Sequence, residues 1–151
     1  IKQQPLTKYF KVINAEFLKY FKNTKTKLLS EPGRVLVSNS MSLIVRVDLR
    51  KKNILYINDG KHSFLHDAGE HDFIYPVKIF KKEEKSKLMP FSFYGPTCDS
   101  NDFMKGPFLL PESIKEGDYL QIEEMGAYSL PMKNNFNGFF SPPKIFIDEE
   151  K

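Results

Sequence analysis

Two stretches of this chain carry the residue types of a reaction site. The first is Glu31-Pro32-Gly33-Arg34, a carboxylate and a guanidinium three positions apart. Both can reach one small ligand only if the turn between them is tight, which Pro32-Gly33 favours. The second is Phe93-Tyr94-Gly95-Pro96-Thr97-Cys98-Asp99-Ser100-Asn101-Asp102, with Gly126-Ala127-Tyr128 and Phe136-Asn137-Gly138-Phe139 downstream. It places the chain's one cysteine beside acids and aromatic rings. Taken singly, each has an ordinary reading. The first is then a surface turn closed by an ion pair, and Cys98 a small buried hydrophobe. Asp99 and Asp102 are turn formers, and Gly126-Ala127-Tyr128 is a helix start. His62, His66 and His71 fall within ten residues, beside Asp67, Glu70 and Asp72. Those types could bind a metal, but their spacing matches no familiar ligand motif, and no metal site is expected.

Elements must position these groups. Leu6, Phe10, Ile13, Phe17 and Phe21 recur at spacings of three and four, an apolar stripe on a helix whose other face carries lysines. Pro5 sits where a first-turn proline is tolerated. Lys27-Leu28-Leu29-Ser30 then reads as a short apolar segment ending in a polar, glycine-bearing turn, as strand ends that carry sites do in α/β proteins. Periodicity does not decide between helix and strand for residues 35–42. From Leu43 alternation takes over: Val45, Val47 and Leu49 share one face, and Ile44, Arg46 and Asp48 the other. With Arg50-Lys51-Lys52-Asn53 as a turn and Ile54-Leu55-Tyr56-Ile57 as a second strand, this predicts a hairpin. Further strands are expected at 75–80, 89–94, 119–122 and 144–147, a charged loop at 81–87 and a polar tail at 148–151. The coarse organisation is an α/β remnant over 1–42 and a β-rich domain over 43–151.

Composition narrows the class. The chain has 151 residues and is 40% hydrophobic, with 14 Phe and 7 Tyr, enough for a folded domain with a real core. No apolar run of about 18 residues occurs, so no transmembrane helix is expected. A single cysteine forms no intrachain disulfide and is compatible with the cytoplasm. The net charge of +4 comes largely from seven lysines against one acid in the first 28 residues. Such a face is ordinarily solvated surface, and nucleic acid is not expected as a partner. The chain starts at Ile1, with no signal pattern, as a cut or partial sequence would.

Taken together and in order, the landmarks are more specific. Glu31-Pro32-Gly33-Arg34, Asn58-Asp59-Gly60, Gly95-Pro96-Thr97-Cys98-Asp99-Ser100, Gly117-Asp118, Gly126-Ala127-Tyr128 and Phe136-Asn137-Gly138-Phe139 resemble the fold type III, alanine-racemase-like decarboxylases dependent on pyridoxal phosphate (PLP). These enzymes act on ornithine, lysine, arginine or diaminopimelate. The resemblance covers nearly the whole chain and implies a mainly β fold with some α. The expected domain is a barrel- or sandwich-like β domain, preceded by the end of the family's (β/α)8 barrel at 1–42. Glu31 matches the residue that keeps the cofactor's ring nitrogen protonated, making the ring a better electron sink. Arg34 matches the arginine that binds the cofactor phosphate, and Tyr128 a tyrosine that touches it. Cys98 and Asp99 match residues that the family contributes across a dimer interface. Asp99 would accept a basic substrate's distal ammonium, and Cys98 would stand near the reacting centre. Asp67 would be a second ammonium partner. The diaminopimelate branch usually has Glu after the cysteine, so Asp99 favours ornithine or lysine.

There are departures. The family commonly reads Asn-Asp-Gly-x-Tyr-Gly-Ser where this chain has Asn58-Asp59-Gly60-Lys61-His62-Ser63-Phe64. The family's cofactor-bearing lysine, its ring-stacking histidine and its glycine-rich phosphate loop would all precede Ile1. The resemblance therefore implies half of a PLP site, completed by an N-terminal barrel half or an intact decarboxylase subunit, and a homodimer in the complete enzyme. The alternatives are a decayed copy and a non-catalytic module that docks onto decarboxylase subunits.

Overall fold

The computed structural model describes residues 5–70, 73–80, 86–139 and 143–147. It divides into two compact units, 1–32 and 33–151.

The first unit holds one long helix, α1 (Leu6–Phe21), which starts directly after Pro5. The expected stripe forms a helix, and Phe17 and Phe21 stack with centroids 5.0 Å apart. No residue of α1 is buried, however, and Phe10, Ile13 and Phe21 are 49%, 47% and 41% exposed. Residues 27–30 form no strand; Leu28 and Leu29 are exposed in irregular backbone.

The second unit opens with a short helix, α2 (Arg34–Val37), and a 3₁₀ turn at Ser38–Ser40, which settles the stretch that periodicity left open. Six strands follow: β1 (Leu43–Lys51), β2 (Ile54–Ile57), β3 (Val77–Ile79), β4 (Leu88–Tyr94), β5 (Phe103–Pro111) and β6 (Tyr119–Ile122). They form one sheet in the order β3-β6-β1-β2-β4-β5. All pairs are antiparallel except β2 with β4. β3 and β5, at the two edges, also lie against each other, so the sheet curls nearly closed. Closure of this kind hides strand edges and gives each strand an inner face.

The alternation of β1 sets that inner face. Leu43, Val45 and Val47 are buried, and Ile44, Arg46 and Asp48 are exposed. The predicted face slips at its end: pairing with β2 shifts between Val47 and Leu49, and Leu49 is half-buried. The hairpin turn is tight, Lys51 pairing with Ile54 and Lys52 adopting φ 55°, the left-handed geometry that two-residue turns need. Leu55, Ile57, Phe91, Phe93, Met104, Phe108, Leu110, Leu120 and Ile122 complete the core with Tyr75, and Phe93 stacks on Phe108 at 4.1 Å.

Two strand expectations change. The strand near 75–80 shortens to Val77–Ile79, since Pro76 offers no N–H to a ladder. Residues 144–147 form no strand; Ile145, Phe146 and Ile147 are almost fully exposed, with β-branched character but no ladder partner. The strand β5 was not expected at all. A short helix, α3 (Ser129–Met132), and a 3₁₀ turn at Phe136–Gly138 follow β6. Of the expected charged loop, 81–85 lie outside the described residues, as does the polar tail at 148–151.

Candidate functional site

The backbone brings α2 and the start of α3 together. Gly126 N–H donates to the Ser38 carbonyl at 2.9 Å, and Met125 N–H to the Met41 carbonyl at 3.0 Å. This pins the Gly126-Ala127-Tyr128 turn beside α2, with Tyr128 at φ 65° just before the first residue of α3. Arg34 consequently lies against the Tyr128 ring, 5.1 Å from its centroid, and 4.9 Å from that of Phe73. Its Nη2 donates to Asp67 Oδ2 at 2.5 Å, and the Tyr75 hydroxyl donates to Asp67 Oδ1. Burial pulls the Arg34 pKa down, but hydrogen bonding to Tyr75 and Asp67 outweighs it and the net direction is upward. The Tyr75 hydroxyl is pushed up by burial and by Asp67. Two buried side-chain atoms, Arg34 Nη1 and His66 Nδ1, have no hydrogen-bond partner among the described residues. Buried donors are rarely left so, because an unmade hydrogen bond costs roughly 1–3 kcal/mol.

A second group surrounds the loop 95–102. Its organiser is Asp102, fully buried. Its Oδ1 accepts from Lys61 N–H at 2.7 Å, and its Oδ2 from Thr97 N–H at 3.1 Å and Thr97 Oγ1 at 2.7 Å. Gly60 and Gly95 let the backbone close on this carboxylate: a Cβ at either would stand 2.1 or 2.3 Å from an Asp102 oxygen. The Asn58-Asp59-Gly60 turn and the Cys98-Asp99 loop are thereby fastened to one side chain. Asp59 beside it accepts from Ser63 Oγ at 3.0 Å and Phe64 N–H at 3.1 Å, and burial pushes its carboxyl up to about 6.

Asp99 stands outside this buried knot. Asn101 N–H donates to its Oδ1 at 2.9 Å, and His62 Nε2 lies 2.8 Å from its Oδ2. These two contacts, the backbone one foremost, hold the Asp99 carboxyl below its ordinary range. The His62 ring packs on Phe136 at 4.7 Å, and Asn137 Nδ2 donates to Cys98 Sγ at 3.4 Å. A shallow pocket lies between these residues, lined in part by Asp59, His62, Thr97, Phe136 and Phe139.

The site residues expected from sequence therefore fall into sets. Arg34, Asp67 and Tyr128 come together. Cys98 and Asp99 share a different loop with different partners. Glu31 belongs to the first unit, exposed. The ordinary reading of Cys98 as a buried hydrophobe fails, because its thiol is exposed. Sequence reasoning gave Tyr75 and Phe73 no place in the site, and read Asp102 as a turn former. The two glycines that must clear Asp102 lie 35 positions apart, so no local pattern announces it. His62 was noticed as a departure from the family's tyrosine and as one of three clustered histidines; its pairing with Asp99 was not foreseen. His71 and Asp72 lie outside the described residues.

Comparisons with known proteins agree with this architecture. Residues 12–126 match the family model of the pyridoxal-dependent decarboxylase C-terminal sheet domain. Antizyme inhibitor 2 of Xenopus laevis is 34% identical over 150 residues, covering 87% of this chain and 33% of the relative. Ornithine decarboxylase of Caenorhabditis elegans is 28% identical, covering 97% of this chain and 39% of that enzyme. Among solved structures, lysine/ornithine decarboxylase complexed with cadaverine from Vibrio vulnificus superposes with a TM-score of 0.70 at 25% identity. That match covers 98% of this chain and 40% of the solved one. The chain thus spans about a third of the length of the curated relatives it matches. With a family model over most of its length and a nearly closed sheet of the same fold, the chain belongs to the C-terminal sheet domain family of the pyridoxal-dependent ornithine, diaminopimelate and arginine decarboxylases.

Proposed function

We propose that this chain is the C-terminal part of a PLP-dependent decarboxylase acting on ornithine or lysine, in the route to polyamines, and that it needs a lysine-bearing barrel to turn over substrate. The observation that carries the reading is Arg34: a guanidinium fixed between two rings, with one buried amino group that has no hydrogen-bond partner among the described residues. A phosphate dianion is the ligand such a donor suits, and the charge-assisted bond would satisfy it. The residues present fit the cofactor at this end, with Tyr128 beside Arg34 as the second phosphate contact. For Glu31 the reading assigns the proton on the cofactor's ring nitrogen, on the strength of the family pattern. When bound, the cofactor would take up the electron pair left by the departing carboxyl group.

The chain's own contribution to substrate would come from Asp99 and Cys98. Asp99 is ionised and half-exposed, so its carboxylate can accept an ammonium. Cys98 carries its thiol at the surface of the same loop and would stand near the reacting carbon, at the partner subunit's site of a homodimer. Asp102 holds that loop, and so sets where both groups point.

A second reading is favoured by the 34% identity to an antizyme inhibitor and by the altered run from Lys61 to Phe64. On it, the chain is a non-catalytic module that docks onto decarboxylase subunits. One experiment separates the two. The chain is mixed with a lysine-bearing barrel half from a relative, PLP and either ornithine or lysine, and carbon dioxide is collected. Release that needs both parts supports the decarboxylase and names its substrate. No release from a soluble, folded mixture that forms a complex sinks it in favour of docking.

A further inference from the structure

Each oxygen of the Asp99 carboxylate already has a partner. Asn101 N–H donates to Oδ1 at 2.9 Å, and His62 Nε2 lies 2.8 Å from Oδ2. An ionised carboxylate only accepts hydrogen bonds, and Asp99 is held ionised, so Nε2 must carry the hydrogen. The second ring nitrogen then decides the charge of His62. A neutral imidazole leaves Asp99 its full charge, and an imidazolium matches that charge. The two side chains are 31% and 30% exposed, so a proton and a small cation can both reach the pair. Phe136 packs on the imidazole at 4.7 Å and keeps the ring against the loop. The tyrosine that the family commonly has at this position can donate to a carboxylate but never carries a positive charge.

With Asp99 as the ammonium acceptor, the reading on which this rests, we propose that His62 is an internal competitor for the substrate's distal ammonium. Imidazolium and ammonium take the same carboxylate, so the ammonium site is open while His62 is neutral and weakens as His62 gains a proton. Imidazole is the side chain whose charge ordinarily changes between about pH 5 and 8. Asp99 does not change with it, because its carboxyl is held below the ordinary range. Other charges face the ring. From its own turn, Asp59 lines the same pocket with its carboxyl pushed up to about 6 by burial, and Lys61 is paired with Glu70. From the loop 95–102 comes Asp102, which accepts from Lys61 N–H and Thr97. From the segment before the 3₁₀ turn, Lys133 is engaged with Asn135 Oδ1 and the Phe139 carbonyl. Acid therefore weakens ammonium binding in two ways, by charging His62 and by neutralising Asp59, and only a change at His62 separates them. The coupling is reciprocal: the factor by which a proton on His62 weakens the ammonium is the factor by which the ammonium opposes that proton.

The test uses the full chain with cadaverine as the probe, at matched ionic strength, followed by NMR of the His62 ring and the Asp99 carboxyl. In the unsubstituted chain, cadaverine should shift the Asp99 signal, bind more weakly at about pH 5.5 than at about pH 8, and move the His62 titration to lower pH. Asp99→Asn should abolish the binding. His62→Phe keeps a ring for Phe136 and removes the charge. It should tighten cadaverine roughly two- to fivefold in acid, the worth of a partly exposed ion pair, and by less in base. His62→Gln keeps a donor that does not titrate; it should show the same gain in acid, and it carries the test should His62→Phe fail to fold. If Asp99→Asn abolishes binding while the His62 variants bind no tighter in acid, or tighten equally at both pH values, the competitor role is overturned and the ammonium reading of Asp99 stands. If the unsubstituted chain shows no cadaverine effect, or Asp99→Asn leaves one intact, the ammonium reading itself fails and the competitor role falls with it.

Discussion

Carboxylates in this domain do three different jobs, and environment decides which. Asp99 is stabilised as an anion at the surface by the Asn101 N–H and His62. Asp102 is a buried structural acceptor for three donors. Asp102→Ala would strand the N–H groups of Lys61 and Thr97. At roughly 1–3 kcal/mol for each stranded donor, it should cost the domain about 3 kcal/mol or more in urea unfolding. Gly95→Ala should destabilise for the related reason that its Cβ cannot coexist with the carboxylate. Asp59 shows the opposite balance: burial outweighs its hydrogen bonds and lifts its carboxyl to about 6 from an ordinary 3.8. The folded state then binds more protons than the unfolded one between those values. The Asp59 contribution is therefore most favourable below about pH 4 and is lost as pH rises through about 6, a swing on the order of 3 kcal/mol. Carbon-13 NMR of the Asp59 carboxyl checks the titration directly. Unfolding of the native chain and of Asp59→Asn between pH 4 and 7 should differ in slope over that window only. At this scale the family landmarks singled out Arg34, Tyr128, Cys98 and Asp99, whose roles stand as proposals. The sequence did not announce the buried role of Asp102 or the contacts of Tyr75 and Phe73, because these arise between segments that no local spacing encodes.

At the scale of elements, legibility follows how many rules agree. β1 and β6 were found because alternation, β-branched residues and flanking turns all point the same way. β5 was missed because Gly106-Pro107 interrupts its pattern with a residue that weakens strands and one that cannot donate to a ladder. Its outer part nonetheless obeys strict alternation once paired with β4. Leu110 is fully buried, while its neighbour Leu109 is 55% exposed. Leu110→Ala should cost about 2–5 kcal/mol and Leu109→Ala within about 0.5 kcal/mol, measured as separate shifts in the denaturation midpoint. Equal effects would mean that β5 is out of register. The stretch 144–147 is the converse case, with strand-forming residues that have nothing to pair with among the described residues. Propensity there describes what a partner strand would meet rather than what the segment forms alone.

Across the whole molecule, the two units stand on different physical footings. The sheet unit has an inner face, a continuous apolar core and a buried polar knot. The helix α1 has the periodicity of a packed helix and none of the burial. Tyr9, Val12, Leu18 and Tyr20 are exposed along with Phe10, Ile13 and Phe21 of the stripe, while Leu6 and Phe17 are half-buried. Sixteen residues are close to the length at which isolated helices are marginal in water, since most helical stability in proteins comes from packing an apolar face. The Glu16–Lys19 pair adds only a few tenths of a kcal/mol. The stripe was therefore legible as a helix, but what would bury it was not, because a helix's own periodicity does not name the surface it packs against. The expected outcome for this chain, kept dilute enough to be monomeric, is amide exchange near the solvent rate across residues 6–21. The amides of β1, β2 and β4 should be protected by orders of magnitude over the same hours. Raising the concentration should protect the helix as apolar stripes meet, while leaving the sheet unchanged. Strong protection of 6–21 in the monomer would overturn this account, since no residue of α1 is fully buried.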